Sequence, residues 1–159
     1  MLNVRLITVG SLKEAYWRDA AAEYEKRLGG LCRLEHVNLK EAKLPSEPLP
    51  KQVERALEEE ADAILAAMPP RAYKIAMCVE GKQTTSEGFA QQLERIASEN
   101  GTVCLVIGSS YGLSERVKAA CEHRMSVSSM TFPHQLLRVM LLEILYRSFQ
   151  IQRGTRYHK

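Results

Sequence analysis

A chain of 159 residues, 45% apolar and 26% charged, has the size and balance of one ordinary domain with a buried core, so a single domain over 1–159 is expected. Its net charge of +3 is too small for a general nucleic-acid coat, no basic segment followed by an apolar stretch opens it, and no apolar run is long enough for a bilayer, so a cytoplasmic protein with no membrane attachment is expected. The charge is uneven: residues 1–122 hold 16 Lys/Arg against 18 Asp/Glu, whereas 123–159 hold 6 against Glu143 alone, which points to a local surface for a polyanion.

In chain order, "NVRLITVG" (3–10) predicts a strand ending on Gly10, and "LKEAYWRDAAAEYEKRL" (12–28) a helix stopped by Gly29 and Gly30. "CRLEHVNL" (32–39) alternates as a strand, and the three prolines of 40–50 predict a surface loop. An amphipathic helix is expected over 51–68, ended by Pro69 and Pro70. "YKIAMCVEG" (73–81) and "TVCLVIG" (102–108) are nearly continuous apolar runs, the pattern of buried parallel strands, with a helix over 86–100 between them. A short helix at 114–122 and a strand near 124–128 follow, and a last helix opens at Pro133 and stops at Gly154. This alternation predicts an α/β fold with a mostly parallel sheet flanked by helices. Cys32, Cys78, Cys104 and Cys121 form no C-x-x-C pair and are expected as small buried residues, with neither a disulfide nor a metal site.

The last helix is apolar nearly all round, from Leu136 to Ile151, and therefore needs cover on more than one side. A homodimer interface would supply it, and so would a thick single-chain core.

Three stretches could carry chemistry. "VIGSSYGL" (106–113) is a buried strand running into a glycine turn and a helix, at the carboxyl end of a strand where parallel sheets bind ligands. It is neither G-x-G-x-x-G nor a P-loop, so dinucleotide binding is not indicated. "SVSSMTFPHQLLR" (126–138) gathers hydroxyls and free backbone groups before a helix start, as either a ligand loop or a capping loop, with His134 and Arg138 on one face of that helix. "RGTRYHK" (153–159) offers Arg, Tyr, His and Lys, which stack on bases and neutralise phosphates, and which equally suit a solvated end.

Taken together, "VIGSSYGL", "SSMTFPHQLLRV", "E-x-x-Y-R" and the terminal "R-G-x-x-Y-H-K" resemble the ribosomal large-subunit pseudouridine N3-methyltransferases of the SPOUT class, and "VGSLKEAYWRDAAAEYEKRL" and "EGK" match as well. The resemblance runs the whole chain in order. It implies a SPOUT α/β-knot, a mostly parallel sheet flanked by helices with a C-terminal trefoil knot, acting as a homodimer in which each tail reaches the partner's site. It implies S-adenosylmethionine as methyl donor and, as substrate, a pseudouridine in a 23S rRNA stem-loop of the assembled ribosome, methylated at N3, with no metal.

Carried over by position, the implied cofactor residues are Met77, Gly108, Val127, Ser128, Ser129, Met130, Thr131 and Phe132, and the implied catalytic residues are His134, Arg138, Arg156, Tyr157 and His158. His134 and His158 are the candidate bases for the imide proton, Arg138 and Arg156 could stabilise the resulting anion, and Tyr157 could stack on the flipped base. The chain departs from the family at Ser109, usually glycine, and at Ser129, often lysine. A side chain at 109 would narrow the turn or disfavour a positive φ. The rival readings from the residues are a non-catalytic ribosome- or RNA-binding module and a flavodoxin-like nucleotide-binding protein.

Overall fold

Five parallel strands alternate with five helices in the computed structural model, which describes all of residues 1–159. The elements are β1 (Asn3–Val9), α1 (Ala15–Leu28), β2 (Arg33–Leu39), α2 (Pro50–Ala67), β3 (Tyr73–Lys82), α3 (Ser86–Glu99), β4 (Thr102–Ile107), α4 (Glu115–Ala119), β5 (His123–Met125) and α5 (His134–Gln152). The sheet order is β2-β1-β4-β3-β5. All strands being parallel, their carboxyl ends collect on one rim of the sheet, where ligands bind in such architectures.

Alternation along β1 divides the core. Val4 and Leu6 point to one face, which is covered by α1, α3 and α5 through Leu28, Phe89, Leu93, Leu141, Leu142 and Leu145. Ile7 and Val9 point to the other, covered by α2 and α4 through Ala61, Ile64 and Val117. Leu141, Leu142 and Leu145 of α5 are fully buried, each worth about 2 kcal/mol of burial. Helix α5 packs against both α1 and α3, which accounts for part of its apolar circumference. Leu136 and Met140, one turn apart, stay half-exposed outside that cluster. No helix is long and apolar enough to cross a membrane.

Two boundaries differ from the sequence pattern. The strand expected over 124–128 ends at Met125, because Ser126 turns its hydroxyl onto the carbonyl of Ser128 (2.6 Å) and breaks the extended run. Pro133 stands just before the first turn of α5, its carbonyl accepting from the amide of Leu137 at 3.0 Å. Cys32 and Cys104 are buried as expected, while Cys78 and Cys121 are half-buried. Burial pushes the thiols of Cys32 and Cys121 up to about 11 and that of Cys104 to about 12, which leaves them protonated and unreactive.

Next to β5, strand β3 shifts register, so that Met125 pairs with Met77 and again with Lys82. The backbones pass so closely that a Cβ on Gly81 would lie 2.5 Å from the carbonyl carbon of Met125.

Candidate active site

The path of the chain from β5 to α5 assembles the site. Strand β5 is one edge of the sheet, yet His134, which opens α5, lies beside Gly10 at the end of β1, its Nε2 3.7 Å from where a Gly10 Cβ would stand. Those two points are three strand steps apart, roughly 14 Å. Residues 126–133 must therefore cross the carboxyl ends of β3 and β4. Met77, which pairs with Met125 on β5, and Gly108, which follows the last residue of β4, lie toward that same rim, where the hydroxyl loop starts with the amide of Ser126 donating to the carbonyl of Lys82 at 3.1 Å.

Internal bonds fix the crossing loop. Ser126 Oγ donates to the carbonyl of Ser128 and accepts from its amide (3.3 Å), and Ser128 Oγ accepts from the amide of Met130 at 3.0 Å. Helix α5 starts without a side-chain cap, so these hydroxyls shape the loop and do not cap the helix. Val127, Ser128 and Phe132 are half-buried, whereas Ser129, Met130 and Thr131 are exposed, Met130 at 73%.

The glycine turn is equally determined. Gly108 is buried, and a Cβ there would overlap the carbonyl of Gly112, which turns back with φ +85° and donates its amide to the carbonyl of Ser109 at 2.8 Å. Ser109 itself needs no positive φ. Its buried hydroxyl donates to Glu60 Oε1 at 2.9 Å, so Ser109 has a partner of its own on α2.

Arg138 is 3% exposed. Its Nη2 donates to the carbonyl of Gly10 at 2.7 Å and to Asn38 Oδ1 at 3.4 Å, while Nε is buried without a partner. Beneath it, Thr8 Oγ1 donates to Asn38 Oδ1 (2.9 Å) and lies 2.8 Å from His36 Nε2. Burial, then the charge of Arg138, hold His36 below the usual imidazole range. Burial likewise lowers His134, opposed by Glu41 and helped by Arg138. A lowered His134 is neutral at neutral pH and able to accept a proton.

The terminal residues lie elsewhere in the single chain. The tail turns back along α5: Tyr157 OH donates to Glu143 Oε1 at 3.0 Å and its ring packs edge-on to Tyr146, centroids 4.8 Å apart, with the Arg147 guanidinium over it. His158 sits between Arg147 (3.2 Å) and Glu87 of α3 (2.8 Å), and Arg156 is exposed. Thirteen residues of helix separate His134 from Arg147, about 20 Å. One chain thus brings His134 and Arg138 to the loop rim but leaves Arg156, Tyr157 and His158 near the far half of α5.

Glu60, Asn38, Thr8 and His36 were not expected at the rim. Glu60 had a signal: it falls four residues from both Ala56 and Ile64, in the stripe that α2 buries. The others depend on long-range pairing of β1 with β2, which no local pattern states.

A family model described as "Predicted SPOUT methyltransferase" matches residues 2–158. Proteins named ribosomal RNA large subunit methyltransferase H are similar along their whole length. The one from Clostridium beijerinckii is 44% identical, covering 99% of this chain and 100% of its own. One from Streptococcus thermophilus is 43% identical with the same coverage. Among solved structures, a Bordetella pertussis protein described as a probable methyltransferase superposes with TM-score 0.59 at 16% identity, over 93% of this chain and 96% of that one. A methylase family protein from Neisseria gonorrhoeae gives 0.55 at 21% identity, over 99% and 86%. At those identities the structures speak for the fold alone. With the parallel sheet and the loops at its carboxyl rim, the match over residues 2–158 means that this chain belongs to the SPOUT methyltransferase family.

Proposed function

We propose that the protein is a cytoplasmic homodimeric enzyme that methylates N3 of a pseudouridine in 23S rRNA on the assembled ribosome, with S-adenosylmethionine as donor. The observation that carries the reading is the return of residues 126–133 from the sheet edge at β5 to Gly10 at the end of β1, along the rim on which the strands end. The full-length relatives named as large-subunit rRNA methyltransferases support the substrate class.

The rim suits the donor. Met77, Val127 and Phe132 offer apolar contact beside a turn whose backbone is bare at Gly108 and Gly112, and the half-buried loop leaves main-chain groups for a polar ligand. Met77, Gly108 and residues 127–132 would hold it. When bound, S-adenosylmethionine supplies an electrophilic methyl group on a sulfonium.

The protein's task is alignment and proton removal. The base role falls to His134, and its lowered pKa and position beside Gly10 support that reading; the second candidate, His158, would have to arrive from the partner. Arg138 acts from below, a fixed positive charge under the rim that favours an anionic base. Arg156 and Tyr157 complete the site from the partner's tail, pairing with phosphate and stacking on the extruded base. The half-exposed Leu136 and Met140 on α5 are the centre of the proposed dimer contact.

The deciding experiment compares purified ribosomes with naked rRNA as methyl acceptors and locates the product by mass spectrometry. Methylation of one pseudouridine on ribosomes is the expected result. A product at another base, or none alongside normal donor binding by calorimetry, overturns the proposal.

A further inference from the structure

We propose that Glu60 and Ser109 are positioning residues, a strut that sets the glycine turn and the 40–49 connection relative to each other. The inference rests on the donor assignment above.

Glu60 is 5% exposed on a helix face that otherwise buries Ala56, Ala61 and Ile64. A carboxylate there is costly unless its oxygens are bonded, and leucine would fill the space at less cost. Its two oxygens take donors from two different connections. Oε1 accepts from Ser109 Oγ at 2.9 Å in the turn after β4, and Oε2 accepts from the amide of Ala42 at 3.0 Å in the connection after β2. Ser109 is thereby held at both ends, its carbonyl within the turn and its hydroxyl on α2. Its neighbours Ser110 and Tyr111 are exposed. With its inner side fixed, the turn presents one backbone surface to the rim.

The second tether bears on the base. Glu41, next to Ala42, puts Oε2 3.3 Å from where a Gly10 Cβ would stand, with His134 Nε2 on the same site at 3.7 Å. A single carboxylate thus fixes both the turn that would hold the donor and the acid that faces His134.

The geometry specifies the outcome of each substitution. Ser109→Ala removes one tether and leaves the other, raising the donor's Kd and KM roughly tenfold, the size of one hydrogen bond to a charged group, with kcat little changed. Glu60→Ala removes both, raising KM and lowering kcat together. Glu60→Gln can keep both bonds, its carbonyl accepting from Ala42 and its amide donating to Ser109 Oγ, and so recovers affinity to within about threefold of the parent. Hydrogen exchange gives a readout independent of activity: amides at 108–113 exchange faster in Ser109→Ala, those at 40–44 also in Glu60→Ala, and both return toward the parent in Glu60→Gln. If Glu60→Ala does not fold, Ser109→Ala carries the test alone. Parent-like affinity and exchange in Ser109→Ala overturn the strut, as does a Glu60→Gln protein as impaired as Glu60→Ala. If the unaltered protein binds no S-adenosylmethionine, the donor assignment falls; exchange at 108–113 then judges the strut, supporting it if faster in Ser109→Ala and overturning it if unchanged.

Discussion

At Gly108 the backbone of residue 112 occupies the space a side chain would need. The Gly108→Ala protein must move that turn, at about 1–3 kcal/mol, so its Tm should fall by several degrees in calorimetry, with donor affinity falling as well. The proposed catalytic residues of the tail are expected to behave differently, because they sit outside the loops proposed to hold the donor. Arg156→Ala or His158→Ala should lower the methylation rate at least about tenfold, as loss of charge stabilisation or proton transfer does, while the calorimetric Kd for the donor is unchanged. Loss of donor binding along with rate would make the tail structural. Single residues were partly legible in sequence: Gly108, His134 and the hydroxyls stood out by type and position. The partner of Ser109 did not, since it comes from a helix 49 residues away.

At the scale of elements, α2 carries a test of its one buried acid. Burial is the largest influence on Glu60 and raises its carboxyl pKa; Glu41 and Glu59 add to this, and the bonds from Ala42 and Ser109 oppose it. The folded state thus holds that proton more tightly than the unfolded state does. The native protein therefore gains stability relative to Glu60→Gln as pH falls from neutral through the raised pKa. Expected is a higher Tm for Glu60→Gln near neutrality, with an advantage that shrinks toward about pH 4. An advantage that grows on acidification would show the carboxylate to be stabilised in its ionised form. The long elements were readable because strand and helix periods differ, and the apolar runs of β3 and β4 announced a sheet covered on both faces. The end of β5 was not, since S-V-S continues its alternation while the serine hydroxyls curl the chain into a loop. Nor does any pattern disclose that Tyr157 finds Glu143, or His158 finds Glu87.

For the whole molecule, the separation of His134 from the tail by about 20 Å of helix makes a quantitative demand. If each site joins one protomer's rim to the other's tail, His134→Ala and Arg156→Ala proteins are each strongly impaired as pure dimers. Equilibrated together in equal amounts, they form mixed dimers with one complete site, and activity should recover to about a quarter of the parent, measured on ribosomes. No recovery, with subunit exchange verified by mass, would mean that each chain closes its own site. The order of strands, β2-β1-β4-β3-β5, could not be read from sequence, because each parallel neighbour is chosen by packing across the entire chain.

The return of residues 126–133 across the rim also governs when the protein becomes competent during its own synthesis. Every surface that this segment overlies is supplied by residues translated earlier, β1, β3 and β4 all preceding it in the chain. A nascent chain arrested before residue 126 would own all five strands of the sheet and still lack the loop proposed to receive the donor.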